Sequence, residues 1–576
     1  MLTYNIFNDV RLVGAPPSSI GKFGGDTDNW MWPRHTGDFT MFRVYADKEN
    51  NPSSYNENNQ PLKPKHSLPV SIAGVKDGDY AMIMGYPGST DRFLTSWGVK
   101  QAVDIEQPAR VKIRGIKLDI MDQEMSKSQK VRIQYASKYA RVSNYWKYFI
   151  GQSEQLVKNR VFEKKQKIEN SFTTWYKNNE LDKTYSESLS LIENALKNSS
   201  KYTIPKVYFQ EAVVGSELIL FMLRNLSPRT PLFKALSSGE GIKDAKDNFL
   251  KVAESFYKDY NATIDENTLA AVLSLYANDV PKEFQPELLI SLDDKYKGDF
   301  KKVASNYFKK SPFKSYDLFK AWLTSDKLSV KMIEKDLVYQ LKNEFLDVYR
   351  AKVMTPNSAF DGDYKKGMRL FVDGLQKMGM NKASDANSTM RFTYGNVLSY
   401  KPADAVHYDF YTTLEGVMQK EVITEDKNHE FYVPQKLKDL YYAKDFGPYA
   451  RKEDGKLPVG FLSNNDITGG NSGSPVINAH GELIGTAFDG NWEAMSGDIY
   501  FEPNIQRTIS VDIRYSLFII DKYAGAKHLI DEMNIVTDRH VEEKPETSPA
   551  SANPCLLYTS DAADEGLGVD LGGRRI

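Results

Sequence analysis

Cysteine is almost missing from this chain: Cys555 is the only one in 576 residues. One thiol cannot close a disulfide within the chain or build a thiolate zinc site, so the redox compartment stays open. Histidine is scarce too. His35, His66, His407, His429, His480, His528 and His540 are scattered, with no HExxH and no spacing that would put two on one helix face, so no metal site and no cofactor are expected. Neither sign of charge is in excess. The 75 Lys and Arg oppose 76 Asp and Glu for a net charge of −1, which removes the electrostatic footprint expected of a nucleic-acid binder or of an anionic-membrane surface. No run approaches the roughly eighteen uninterrupted apolar residues of a membrane span, and the opening MLTYNIFNDVRLVG lacks the charged-then-apolar plan of a signal peptide.

What is present changes texture twice along the chain. Residues 1–94 carry β-prone runs closed by turn residues, FTMFRVYAD at 39–47 and GDYAMIMGYPGS at 78–89. Residues 95–390 turn to long Lys-, Glu- and Gln-rich segments with apolar residues three and four apart, such as YWKYFIGQSEQLVKNRVFEKKQKIENSF from Tyr145, the period of helices. Residues 391–540 return to short β runs, with HGE as a hairpin turn inside SPVINAHGELIGTAFD. Neither β piece alone offers enough apolar surface to close a core, so the helical block reads as an insertion into one β module. Within residues 541–576, EEKPETSPASANP is a polar, Pro-rich linker, and the stretch from Cys555 onward resembles a translated sequencing adapter and is set aside as non-native.

The sharpest chemical signal is GGNSGSPV at residues 469–476. A nucleophilic serine needs its own amide and the amide two residues earlier aimed at one developing oxyanion, and glycine permits that turn. Gly470 and Ser472 are therefore the candidate oxyanion donors, with Ser472 Oγ as attacking atom. A second constellation, GDTDNWMWPRHTGDF at residues 25–39, packs aromatic and polar groups ahead of a strand, and Asp38 within it could orient a histidine.

Together with FDGNWEA at 488–494, and in this order, these segments resemble bacterial dipeptidyl-peptidases 7 and 11, serine exopeptidases, over about residues 1–540. The resemblance implies an α+β multidomain chain: a chymotrypsin-like double β-barrel interrupted by a large all-α insertion. It implies Ser472 as nucleophile and Asp38 as triad acid, and assigns Asn29, Trp30, Asn144 and Asp489 to the substrate's free α-amino group. A dipeptide-releasing enzyme must measure two residues from the N-terminus, so a carboxylate fixed at that distance from the nucleophile makes physical sense. Gly490 follows Asp489 where the Asp/Glu-cleaving members carry arginine, which implies an apolar specificity pocket. The implied partners are oligopeptides with free N-termini, in the periplasm or cell envelope, and the resemblance also admits a homodimer.

One feature departs from the pattern. The family's catalytic histidine lies upstream of the aspartate in an N-H-H-C-like segment, and nothing before Asp38 matches it. His35, three residues from Asp38, belongs to the WPRHTGD motif itself. The chain is therefore expected to be truncated at its N-terminus and, as it stands, inactive, because an unassisted serine hydroxyl is a poor nucleophile. Two rival readings are a chymotrypsin-fold endopeptidase of the protease-chaperone type, against which the helical block and Asp489 argue, and a non-catalytic peptide-binding protein.

Overall fold

The computed structural model describes residues 5–380 and 383–540, and all that follows concerns the compact unit that ends at Thr537. The expected linker and non-native tail at 541–576 lie outside the described residues. The chain is α+β, with a large helical region and antiparallel sheets. Five strands precede the helical region, with one short helix, Ser18–Gly21, after the first: β1 (Val10–Gly14), β2 (Met41–Ala46), β3 (Gln60–Pro61), β4 (Val70–Ser71) and β5 (Tyr80–Gly85). Helices then run from Ser96–Gln101 to Asp361–Lys377. After them come β6 (Arg391–Asn396), β7 (Tyr400–Ala403), β8 (Val406–Tyr408), β9 (Tyr411–Thr413), β10 (Pro458–Ser463), β11 (Ser474–Ile477), β12 (Leu483–Gly490), β13 (Thr508–Asp512) and β14 (Ile535–Val536).

The largest sheet is built from both ends of the chain. Its order is β6-β5-β11-β12-β13-β10-β9, with β4 and β14 attached beside β12. Strand β5, which precedes the helices, is hydrogen-bonded between β6 and β11, which follow them, in the registers Tyr80–Asn396 to Gly85–Arg391 and Val476–Ile83. This is why neither β segment could close a core alone. A smaller sheet holds β1, β2 and β3. An isolated antiparallel bridge, Val397–Ser463, links the chain just past β6 to β10. Among the described residues the pairings are antiparallel except for those of β4 with β12 and β14, which are parallel, and they do not resolve into two separately closed barrels.

Each layer has its own core. Between the strands, Ala81, Ile83, Val397, Phe461, Val476 and Ala487 are fully buried, alternating inward as a pleated surface requires. In the helical region, Phe172 meets Tyr176, Tyr185 and Phe371 edge-on, and Asp361–Lys377 packs so closely there that a Cβ on Gly374 would lie 2.2 Å from the Phe172 ring. The longest helix, Gln129–Lys158, opens on Ser128, whose side chain accepts from the Val131 amide, the usual way to satisfy a donor at a helix start. Its 30 residues give about 45 Å of rigid rod, enough to carry groups from the helical region to the sheets.

In the strand core a Cβ at Gly485 would sit 2.6 Å from both the Phe461 ring and the Val511 carbonyl oxygen. Overpacking a close-fitted site costs about 1–3 kcal/mol. Gly485→Ala is therefore expected to lower the unfolding free energy by an amount in that range, read as a lower urea midpoint, and an unchanged midpoint would mean that the strands yield there.

Candidate active site

The GNSGSP turn leads into β11. Gly470 sits at φ +107°, and a Cβ there would lie 2.3 Å from the Tyr86 carbonyl oxygen, so both backbone conformation and space demand glycine. Asn471 N donates to Thr468 O, Ser474 N to Asn471 O, and Gly473 N to Ala487 O of the neighbouring strand. Among the described residues the amides of Gly470 and Ser472 donate to nothing, as a pair reserved for an incoming oxyanion would be. Ser472 is exposed, and its Oγ donates to the Phe488 carbonyl at 3.3 Å.

Phe488 is followed by Asp489, where the second constellation arrives. Trp30, at the left-handed φ of +64°, is a bulky residue in a conformation seldom adopted away from functional sites. That geometry turns its amide toward Asp489 Oδ2 at 3.2 Å, and its indole Nε1 donates to Asn144 Oδ1 at 3.0 Å. Asn29 Nδ2 reaches the same Asn144 oxygen at 3.0 Å. Asp489 Oδ2 also accepts from Arg34 Nη1 at 2.6 Å, and Oδ1 from the Gly490 amide at 2.9 Å. Arg34 in turn donates to the Asp28 carbonyl and to Thr36 Oγ1.

Asn144 lies on the helix Gln129–Lys158, which is stapled to the same loop. Ser143 Oγ donates to Asp26 Oδ2 at 2.7 Å, and Lys147 Nζ to the Asp26 carbonyl. Farther along, Tyr148 OH donates to Asp498, and Gly151 is packed against Met495.

A single cleft of about 1930 Å³ is lined by Ser472, Asp38, Asn29, Trp30, Asn144, Asp489 and Gly490 together. Gly470 lies beside it, outside the lining. A Cβ at Gly490 would meet the Ala494 methyl at 3.1 Å, the Trp30 ring at 3.5 Å and the Arg507 carbonyl oxygen at 3.8 Å, so none of its three nearest neighbours is a charged side chain. Asp38 opens on the cleft and makes no hydrogen bond among the described residues. Surrounding protein mass nevertheless raises its pKa, assisted by Asp489 and opposed by Arg34 and Lys22. His35 lies elsewhere: it is buried against Gly416 with Nδ1 unpaired, and burial with the Lys420 and Arg34 charges pushes it down to about 3. Among the described residues only His429 lines the cleft, and its Nδ1 accepts from the Phe431 amide. Candidate metal clusters are likewise absent among the described residues.

The sequence reading missed Arg34, although it stands inside the quoted motif, and it missed Ser143 and Lys147. The latter pair carried a usable signal, because positions 143 and 147 share one helix face.

The Peptidase S46 family model matches residues 1–535. Dipeptidyl-peptidase 7 of Porphyromonas gingivalis is 45% identical over 542 residues, covering 93% of this chain and 74% of that protein. The Asp/Glu-specific dipeptidyl-peptidase of Flavobacterium psychrophilum is 43% identical over 535 residues, covering 92% and 73%. Porphyromonas endodontalis DPP11 in complex with the dipeptide Arg-Glu has a similar structure, with a TM-score of 0.82 at 38% identity over 92% of this chain and 75% of that one.

The raised Asp38 pKa fixes the sign of a stability effect. The folded chain binds the proton more readily than the unfolded chain, so the ionised carboxylate subtracts stability as pH rises from the unfolded range near ~3.9 through the folded value. Asp38→Asn is expected to melt above the parent at neutral pH, with the gap closing near pH ~3. A variant that melts lower at neutral pH would mean that the carboxylate is held by favourable contacts.

Proposed function

This chain belongs to the peptidase S46 family of serine dipeptidyl-peptidases, and on that footing we propose that it releases dipeptides from the free N-terminus of oligopeptides, with Ser472 as nucleophile and Asn29, Trp30, Asn144 and Asp489 as the amine anchor. One observation carries this reading: Ser472 Oγ, in the turn ahead of β11, is hydrogen-bonded to the carbonyl of Phe488 on β12, the residue next to Asp489, so the nucleophile is tied to the strand that carries the anchoring carboxylate. Asp489 Oδ1 takes one donor where Oδ2 takes two, which leaves acceptor capacity for an ammonium. Asn144 belongs to the anchor by orientation, because its oxygen accepts from both Asn29 and Trp30 and holds those two in place.

In the reaction, Ser472 Oγ attacks the second residue's carbonyl carbon as its proton passes to a base. The amides of Gly470 and Ser472 receive the oxyanion, the amine of the shortened peptide leaves with the proton, and water then cleaves the dipeptidyl ester. Asp38, opening unbonded on the cleft, is the group to orient the base. No histidine among the described residues contacts Ser472 or Asp38, so the 576-residue chain by itself is expected to bind peptides without appreciable turnover. The bridge Val397–Ser463, which returns the sheet path from β10 toward β6, supports a chymotrypsin-like barrel. A periplasmic or envelope location rests on family resemblance alone.

The relatives include both dipeptidyl-peptidase 7 and Asp/Glu-specific enzymes. We favour an apolar residue before the cut, because Gly490 faces Ala494 and Trp30 and a buried carboxylate there would lack a partner. In a form extended to the length of its relatives, Gly490→Arg is expected to move preference from Leu toward Asp by about tenfold, or roughly 1.4 kcal/mol. A native preference for Asp would reverse the assignment. Asp489→Ala in the same form is expected to cut kcat/KM on free-amine substrates by the roughly 2–5 kcal/mol typical of a desolvated charge pair. Labelling by a small phosphonylating reagent should be unaffected, and an unchanged kcat/KM would remove Asp489 from the anchor.

A further inference from the structure

Arg34 is buried together with Asp489: each side chain is 9% exposed, and Nη1 lies 2.6 Å from Oδ2. Arg34 borders the cleft, yet its side chain is too enclosed for water to take over this pairing. Its Nε donates to Thr36 Oγ1 at 2.6 Å, and Nη1 also donates to the Asp28 carbonyl at 2.8 Å. Thr36 is itself tied to the Phe23 carbonyl, and the Asp28 side chain to Lys420. The Phe488 ring lies 5.1 Å from the guanidinium carbon. Every hydrogen bond of the Arg34 side chain therefore goes to the loop at residues 23–36 or to the end of β12, and its planar fork transmits the position of the one to the other.

We propose that Arg34 is the positioning residue for amine recognition: it holds the Asp489 carboxylate by Oδ2 so that Oδ1 is left for the amine, and it acts through Asp489, since a guanidinium has no acceptor to offer an ammonium. The inference rests on Asp489 being the amine anchor. The geometry gives the reason that a cation is tolerated beside a site for a cation. Arg34 and Trp30 occupy one carboxylate oxygen, the Gly490 amide orients the other, and the ammonium is left the remaining lone pair of Oδ1. Without Arg34 a carboxylate this enclosed has neither a counter-charge nor a fixed rotamer, and it turns toward whatever donor it can find.

The test uses the 576-residue chain and calorimetric binding of the dipeptide Phe-Leu in free-amine and N-acetyl forms. The parent is expected to prefer the free amine by at least tenfold. Asp489→Asn should abolish that preference, and a preference retained there sinks the anchor reading and the role of Arg34 with it. Given that loss, Arg34→Met should bring the preference below threefold while leaving acetyl-dipeptide binding within threefold of the parent, a split that general loosening of the fold would not produce. Arg34→Lys, which restores the charge but not the fork, should recover part of the preference. Full retention in Arg34→Met, equal loss for both ligands, or a gain in preference, which would make Arg34 a competitor for the carboxylate, each overturns the proposal. Should Arg34→Met fail to fold, Arg34→Lys decides it: partial loss confined to the free-amine form supports the role, and unaltered discrimination refutes it.

Discussion

The pairing of Arg34 with Asp489 joins the two halves of the site. Arg34 comes from the loop ahead of β2 and Asp489 from the end of β12, 455 positions later, and the pair is nearly dry. Removing one partner of such a pair leaves an uncompensated buried charge, at about 3–5 kcal/mol. The contact of the Arg34 guanidinium with the Phe488 ring and the bond from Ser472 to the Phe488 carbonyl extend the same constraint to Ser472. Loop, strand and serine therefore move as one body, which an enzyme that counts two residues from a chain end requires, since a displacement of about 1 Å can cost a hundredfold in rate.

The helix Gln129–Lys158 adds the third wall. Ser143, Asn144 and Lys147 bond to Asp26, Asn29 and Trp30, and the Tyr148 ring lies 6.0 Å from that of Trp30, so this helix is fastened to the loop largely by polar side chains. Polar fastening of this kind is directional and can open and close without exposing much apolar surface. The cleft between the two is consequently bounded on one side by groups that the sheets fix rigidly and on the other by groups on a long rod.

Much of this could be read from residues alone, because the relevant constraints are local. The GGNSGSPV run is legible since an oxyanion turn needs glycine at particular backbone angles, and Gly470 at φ +107° meets that need. The alternation of β and helical texture is legible for the same reason, through periodicity. What could not be read depends on distant pairing. Nothing in GDYAMIMGYPGS says that it will lie between strands from beyond residue 390, and nothing in WPRHTGD singles out Arg34 over His35 as the residue turned toward Asp489. His35, read in the sequence as part of the motif itself, is sealed against Gly416 with a depressed pKa.

The site also holds conformations that the rest of the chain has to sustain. Trp30 adopts a left-handed backbone, and Asp38 stands in the cleft with a raised pKa and no donor. Neither arrangement is what stability alone would select, since a helix-forming turn at position 30 and an amide at position 38 would both relieve local strain. Both follow if the loop is shaped by what it must present. The Trp30 amide can reach Asp489 only from that backbone, and a carboxylate that was already satisfied could not orient a base. The surrounding network, Thr36 on Phe23, Asp28 on Lys420 and Glu430 on Thr27, supplies the compensating bonds, so the strain stays where the chemistry needs it instead of relaxing through the loop.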